Sequence, residues 1–485
     1  MLAGWLSESE LWLWAFLTIE LFGLLLVPAV LLSHREPPAA IAWILALVFL
    51  PGVGSMLFLL HGRDRMRWPA RRKRAADAVV STRLQAARGR ALAHSEDQLA
   101  GMDPEDKPIF QVCRALGATE LSAGNRVAMF ADGRLAWDAV QKAIESATSS
   151  VFAEYYLIQD DQTGARFREH LVRAAERGVE VRLLVDAYGC FWLPSAWFRP
   201  LKRAQVKVAQ FLPLRLALRL PMNLRTHRKI LVVDGKTAFA GGLNIGNEYV
   251  ADSPKEPMWR DTLLRIQGPA VASLTTVFLQ DWYFMSGASE VSPSFFPEAP
   301  RDGSAVVAVV PSGPDNAAEA VHRVFFAAIV GARRRIWITT PYFVPDRSLL
   351  VALETAAKRG VDVQMILPFR SNHRVTHKAG RSFYAELLDY GISLFEFEPS
   401  MIHCKTMLVD DHLGLVGSAN MDTRSFRLNF EVHTLVHDLS LAKELALAFE
   451  KDRAVARRID AAEWRARPWP SRVAEGSARL ISPIL

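Results

Sequence analysis

The sequence predicts an α/β protein of two similar halves forming one pseudo-two-fold catalytic unit, preceded by an N-terminal two-helix transmembrane hairpin. Three observations lead there: long apolar runs near the amino terminus, alternating strand and helix signals from about residue 107 onward, and a motif that occurs twice at matched spacing. In the first copy, THRKILVVDGKTAFAGGLNIGNEY, His227, Lys229 and Asp234 are followed by Gly241, Gly242 and Asn244. In the second, HCKTMLVDDHLGLVGSAN, His403, Lys405 and Asp410 are followed by Gly417, Ser418 and Asn420. Packing alone does not produce two such matches with one interval from His to Asn, and matched repeats mark duplicated structural units.

Residues 11 to 32 form an apolar run long enough to cross a bilayer, and residues 40 to 60 form a second, interrupted by Pro51 and Gly52. Pro37 and Pro38 in the short joining segment stop one helix and open the next, so residues 1–62 read as a hairpin. Glu8 and Glu10 precede the first run without any Lys or Arg, which argues against a cleaved signal peptide. Arg63, Arg65, Arg67, Arg71, Arg72, Lys73 and Arg74 crowd the exit of the second run. The positive-inside rule then places both termini and the catalytic unit in the cytoplasm, in a multi-pass protein of the cytoplasmic membrane. Glu20 lies mid-span and reads as a protonated carboxyl bonded to the neighbouring helix.

The formal charge of +7 fits an anionic partner, nucleic acid or an acidic lipid surface, without choosing between them. Cys113, Cys190 and Cys404 are an odd number without metal-type spacing, so neither a disulfide framework nor a metal site is expected, and a reducing compartment is. Cys404 sits between His403 and Lys405, but Arg228 occupies that place in the first copy, which gives a thiol nucleophile little support.

Residues 63–106 read as a basic, partly helical linker. In the first half, 107–300, VFAEYYLI is a strand, GARFREHLVRAAERG a helix ended by Gly178, and VEVRLLVD another strand. The second half, 301–485, repeats the series with RRIWITTPYFV, SLLVALETAAKRG and VDVQMILPF. Such alternation predicts parallel strands with helical crossovers.

The apolar continuation after each motif places it on a strand, where His and Lys two residues apart share a face. A titratable nitrogen beside a fixed positive charge suits transfer of a negatively charged group such as a phosphodiester. Asp234 and Asp410 belong to the same motif but have the opposite parity, and read as turn or orienting residues rather than bases. The glycines allow close backbone approach, and Asn244 and Asn420 can donate amide hydrogens to phosphate.

With both copies in view the chain resembles the phospholipase D superfamily, whose signature is a pair of HxKxxxxD motifs, and more narrowly the bacterial cardiolipin synthases. The likeness covers nearly the whole chain: REPPAAIAWILALVFLPGVG, EYYLIQDDQTG, the first motif, TPYFVPD and HCKTMLVDDHLGLVGSANMDTRSFRLNFE. It implies transfer of a phosphatidyl group between two phosphatidylglycerol molecules, giving cardiolipin and glycerol through a phosphohistidine, with neither cofactor nor metal. His227 would be the nucleophile and His403 the acid and base. Lys229, Lys405, Asn244 and Asn420 would cradle the phosphate, with Ser418 as helper and Gly242 its smaller equivalent. Glu431 would orient the histidine of its own motif, His403, and Asp261 in MWRD would do so for His227.

Two other readings stay open: a phospholipase D-type hydrolase using water, and a non-catalytic protein binding anionic lipid or nucleic acid. The expected partners are phosphatidylglycerol, cardiolipin and an anionic membrane, with no nucleic acid; a homo-oligomer is left open. CFWLPSAWF at 190 to 198 and PLRLALRLPMNLR at 213 to 225 look suited to lipid contact.

Overall fold

In a computed structural model the described residues are 8–32, 37–59, 73, 78, 102, 105–116, 121–213, 224–250, 257–288, 290–315 and 319–480. The expected basic run, apart from Lys73, and most of PLRLALRLPMNLR lie outside them. The chain divides into an amino-terminal unit and a catalytic unit.

The amino-terminal unit holds three helices, α1 (Glu8–Leu31), α2 (Pro37–Phe49) and α3 (Val53–Leu57). They pack through Leu26, Val30, Leu47 and Phe58. Among the described residues one helical stretch, Trp12–Leu31, is long and apolar enough to cross a membrane, with mean hydropathy 2.1 over 20 residues. The second expected span is not one helix. Gly52 takes a left-handed φ of 76° after Pro51, and that pair divides it into α2 and α3. Proline supplies no N–H to the helical ladder and crowds the carbonyl four residues back, so the break falls where the residue types place it.

The first half of the catalytic unit contributes β1 (Ser122–Phe130), β2 (Ser150–Tyr155), β3 (Glu180–Asp186), β4 (Lys207–Phe211), β5 (Arg225–Thr226), β6 (Lys229–Val233), β7 (Thr237–Gly241) and β8 (Leu263–Gln267). The second contributes β9 (Ala305–Ser312), β10 (Arg335–Thr339), β11 (Phe343–Val344), β12 (Asp362–Pro368), β13 (Ser393–Phe397), β14 (Thr406–Val409), β15 (Leu413–Gly417), β16 (Met421–Asp422), β17 (Asn429–His437) and β18 (Ala456–Arg458). The large sheet runs β18-β13-β12-β10-β14-β15-β17-β9-β1-β8-β7-β6-β2-β3-β4. Reading outward from the β9–β1 junction, β17-β15-β14-β10-β12-β13 answers β8-β7-β6-β2-β3-β4. That palindromic order is the pseudo-two-fold relation, and it merges the two halves into one sheet.

The sheet is mixed rather than parallel. β2-β3-β4 and β10-β12-β13 pair in parallel through helical crossovers, whereas β6–β7 and β14–β15 are antiparallel hairpins. The motif accounts for this: Asp234 and Gly235 both have positive φ, and Lys236 N–H donates to Val233 O at 3.0 Å. Two left-handed residues make the tight turn that matches strand twist, and so short a connection cannot cross over.

Alternate side chains take opposite faces of the sheet. Val151 and Ala153 enter the core beneath helices Gly133–Glu145 and Gln162–Glu176, while Phe152 stacks on Phe278 of the buried helix Ala270–Ser286. In the second half Ile336 and Ile338 enter the corresponding core and Trp337 stacks on Phe449. Ile109, Phe110 and Cys113 of helix Lys107–Ala115 pack into the core of the second half, although they open the first in sequence.

Candidate active site

The site is assembled where the halves exchange backbone hydrogen bonds. β5 pairs in parallel with β17, and His227 N–H donates to Phe430 O at 2.8 Å. In matching fashion Arg260 N–H donates to Met401 O at 2.9 Å and His403 N–H to Arg260 O at 2.7 Å. Phe430 and Arg260 each precede a carboxylate residue, so this register brings one half's carboxylate to the other half's imidazole.

His227 Nδ1 lies 3.0 Å from Glu431 Oε1 and 3.1 Å from Ser418 O, and His403 Nδ1 lies 2.7 Å from Asp261 Oδ2. The expectation that Glu431 serves His403 and Asp261 serves His227 is therefore reversed. Each carboxylate crosses to the opposite histidine because each motif entry is bonded to the other half's strand, not its own. All the partners of the two Nδ1 atoms are acceptors, so Nδ1 carries the proton in each ring and Nε2 is left with its lone pair.

Burial pushes His227 down to about 4, opposed by Glu431 and assisted by Lys229 and Lys405. Burial also takes His403 to about 3, with Lys405 the next cause and Lys229 further down. Each imidazole thus feels both lysines, as one shared charge cluster requires. Burial lowers Lys229 to about 7 and Lys405 to about 8. Their ammonium groups donate to the carbonyls of His227 and His403, at 2.6 Å for Lys229. Glu431 is held down to about 2: burial raises it, but His227, Lys229 and the Ser418 hydroxyl outweigh that.

Comparison with known families decides the kinship. Residues 140–282 and 325–453, together more than half of the chain, match the family described as cardiolipin synthase, PLD-like domain. The chain belongs to that family. It is 36% identical to a cardiolipin synthase of Geobacillus kaustophilus over 94% of this chain and 90% of the relative. It is 33% identical to the major cardiolipin synthase of Bacillus subtilis over 99% and 100%. Among solved structures, a phosphatidylserine synthase of Haemophilus influenzae shares the fold, with a TM-score of 0.60 at 15% identity over 78% of this chain and 100% of that one.

Within this cardiolipin synthase-family site several expected residues take other places. Asp234 and Asp410 are far from the imidazoles, seven residues along their strands or roughly 23 Å. The Asp234 carboxylate accepts from the backbone N–H groups of Thr148, Ser149 and Ser150, and that of Asp410 from Arg333, Arg334 and Arg335. They clasp the chain entering β2 and β10 and have no catalytic contact.

Ser418 does not face a phosphate. Its hydroxyl donates to Glu431 Oε2 at 2.5 Å and accepts from Val432 N–H at 3.0 Å, fully buried. Gly242 holds the matching position, where a Cβ would lie 2.1 Å from Asp261 Oδ1, so only glycine leaves room for that carboxylate. Asn244 Nδ2 donates to the Tyr249 hydroxyl at 2.9 Å, and Asn420 N–H donates to Ser425 Oγ; the Oδ1 atoms of both asparagines are buried without a partner. Cys404 is buried beside Arg260 and its thiol is pushed up to about 12, which removes it as a nucleophile at neutral pH.

Sequence reading passed over the aromatic walls and two supporting acids. Tyr156 meets the His227 ring edge-on at 5.0 Å, and Tyr249 and Trp259 pack on His403, each at 5.7 Å. Asp186 accepts from Thr226 N–H at 3.0 Å and Glu154 from the Thr226 hydroxyl, securing the residue before His227. An acidic residue, Glu154, inside the apolar strand VFAEYY was the available signal, since acids are rarely buried without a partner.

Proposed function

We propose that the chain transfers a phosphatidyl group between two phosphatidylglycerol molecules, giving cardiolipin and glycerol through a phosphohistidine on His227. Membership of the cardiolipin synthase family makes it a phosphatidyltransferase. The observation that carries the mechanism is the pair of crossed imidazole–carboxylate contacts together with two buried lysines that both rings feel.

The Nε2 lone pair of His227 attacks the phosphorus of the first phosphatidylglycerol. The bond from phosphorus to the distal glycerol oxygen breaks, and His403 Nε2–H delivers the proton that lets glycerol leave. A hydroxyl of the second phosphatidylglycerol then returns a proton to His403 as its oxygen attacks phosphorus, the P–N bond breaks and cardiolipin departs. His227 starts as a free base, being well below its ordinary range. His403 must gain a proton first, and the anionic phosphodiester promotes this by neutralising Lys405, the largest charge that holds His403 down. His227 is the more accessible ring, its side chain 12% exposed against 7% for His403, which favours it as nucleophile.

The apolar helix Trp12–Leu31 keeps the enzyme in the bacterial cytoplasmic membrane with its lipid substrates, and the paired apolar segments make a hairpin with both termini in the cytoplasm. The sequence of the basic run at residues 63 to 74 supports that side, and its arginines would draw anionic headgroups at about 1 kcal/mol per residue, whereas Lys73 is buried against Asp281 at 3.1 Å.

Purified protein incubated with labelled phosphatidylglycerol should yield cardiolipin and glycerol. Phosphatidic acid alone would replace transfer by hydrolysis, and no product would leave a lipid-binding protein. Acid-trapped phosphoenzyme should vanish in His227→Asn and persist in His403→Asn; the opposite result reverses the two roles.

A further inference from the structure

Away from the crossed histidines, Asp106, His412 and His437 converge from three distant parts of the chain. His412 Nε2 is 2.8 Å from Asp106 Oδ1 and His437 Nε2 is 3.0 Å from Asp106 Oδ2. One donor atom from each residue lies within 4.8 Å of the others, and the two rings sit 5.1 Å apart. We propose that these three side chains form a structural Zn2+ site, in which one carboxylate and two imidazole nitrogens bind the ion and water completes a tetrahedron.

Zinc bonds to His nitrogen and carboxylate oxygen at about 2.0–2.2 Å, so its ligands sit roughly 3.3–3.5 Å from one another. The Asp106–histidine spacings are already slightly below that, and binding calls for small ring movements rather than a rearrangement of backbone. Imidazole with carboxylate is a donor set for zinc, not for the all-oxygen ions Mg2+ and Ca2+. The three side chains are partly buried, with His412 22%, His437 28% and Asp106 14% exposed, which leaves an entry path.

A separate observation concerns Asp106 itself. It is the N-cap residue of helix Lys107–Ala115, yet its side chain makes no capping hydrogen bond and turns to the two imidazoles instead. Aspartate at an N-cap ordinarily accepts from the first-turn N–H groups. Forgoing that contact leaves both of its oxygens directed at histidine nitrogens.

The place of the cluster says what the ion would do. His412 lies in the turn that follows Asp410, and His437 ends β17, the strand that carries Glu431. The site is therefore at the far end of the motif strands from His403, roughly 23 Å along the chain axis. There the ion takes no part in phosphoryl transfer. It ties helix Lys107–Ala115, whose Ile109 and Phe110 enter the second core, to the strands that hold the second motif in register.

The untagged full-length chain, purified in detergent, is incubated with ZnCl2, passed through metal-free buffer and assayed for metal. About one equivalent of zinc should remain, with a melting temperature several degrees above that of chelator-treated protein. His412→Ala and His437→Ala should each lose the retained zinc and the zinc-dependent shift, while His403→Asn keeps both, which separates this site from the catalytic histidines. Less than about 0.2 equivalent on the wild-type chain would overturn the proposal. So would full retention in the double variant His412→Ala/His437→Ala. The wild-type measurement stands even if a variant fails to fold, and conversion of phosphatidylglycerol by zinc-loaded and chelated wild-type protein should agree within about twofold at 25 °C, as a site remote from the chemistry requires.

Discussion

The carboxylate of Glu431, on β17 of the second half, lies 3.0 Å from Nδ1 of His227 at the entry to β6 of the first. The imidazole of one motif is thus held by the other motif's half, and Asp261 returns the relation to His403. Glu431→Gln should therefore slow phosphoenzyme formation by about 10²- to 10⁴-fold, because an amide no longer selects the tautomer that frees Nε2. Asp261→Asn should spare the attack more and slow release and breakdown. Single-turnover trapping of labelled phosphoenzyme separates the two, and the reverse assignment of effects would point to pairing within each half.

The two lysines set the alkaline limit. Burial lowers Lys229 to about 7 and Lys405 to about 8, so their charge is present below those values and lost above them. KM for phosphatidylglycerol should rise as pH climbs from 7 to 9. His227, held near 4, loses its free base only as pH falls through that value, so kcat/KM should not drop at the ordinary histidine range near 6.5. An acid limb at 6.5 in the free enzyme would contradict the buried, lysine-flanked imidazole.

Asp234 and Asp410 should prove structural. Removing the charge in Asp234→Asn leaves three converging N–H groups with a weaker acceptor, at a cost of about 1–3 kcal/mol in stability. Urea unfolding should register that loss. Activity at low temperature should stay within about threefold of wild type, since neither residue touches the reacting atoms.

Of the stretch CFWLPSAWF, the fold sorts which residues can meet lipid. Trp192 is 88% and Phe191 53% exposed, whereas Trp197 is buried. Their loop leaves β3 just after Asp186, which also bonds Thr226, the residue before His227, so the chain that carries the exposed pair is anchored on the same acid as the first motif. Phe191→Ser with Trp192→Ser should raise KM for phosphatidylglycerol in bilayers several-fold and leave kcat within about twofold, as loss of interfacial aromatics predicts. An unchanged KM would remove the loop from lipid capture.

Gly242→Ala places a methyl where Asp261 Oδ1 now lies, at 2.1 Å. The carboxylate must move away from His403, and activity should fall by more than about tenfold. The corresponding Ser418→Gly should be milder, since Glu431 keeps His227 and the Asn429 amide at 3.2 Å. Comparing kcat of the two variants checks the asymmetry.

The residues of the chain by themselves determined the duplication, the strands formed by each motif's apolar continuation and the residue types at the centre, because apolar β-branched runs and a repeated spacing are local properties of sequence; His227, His403 and Lys405 stand just ahead of β6 and β14 rather than on them. The break at Pro51 and Gly52 was equally local. The β6–β7 hairpin rests on the two left-handed residues Asp234 and Gly235 and the β14–β15 hairpin on Asp410 alone, a turn geometry that strand and helix alternation does not signal. Tertiary structure alone decided which carboxylate serves which histidine, that Ser418 braces Glu431, and that Tyr156, Tyr249 and Trp259 wall the site. The crossed carboxylates and the packing of Tyr249 and Trp259 on His403 depend on the register between β5 and β17 and on the Arg260–Ile402 bridge, contacts between residues some 140 to 200 positions apart, whereas Ser418–Glu431 and Tyr156–His227 meet within one half. Spacing within either motif carries no information about such a register, which is set by how two whole sheets join edge to edge.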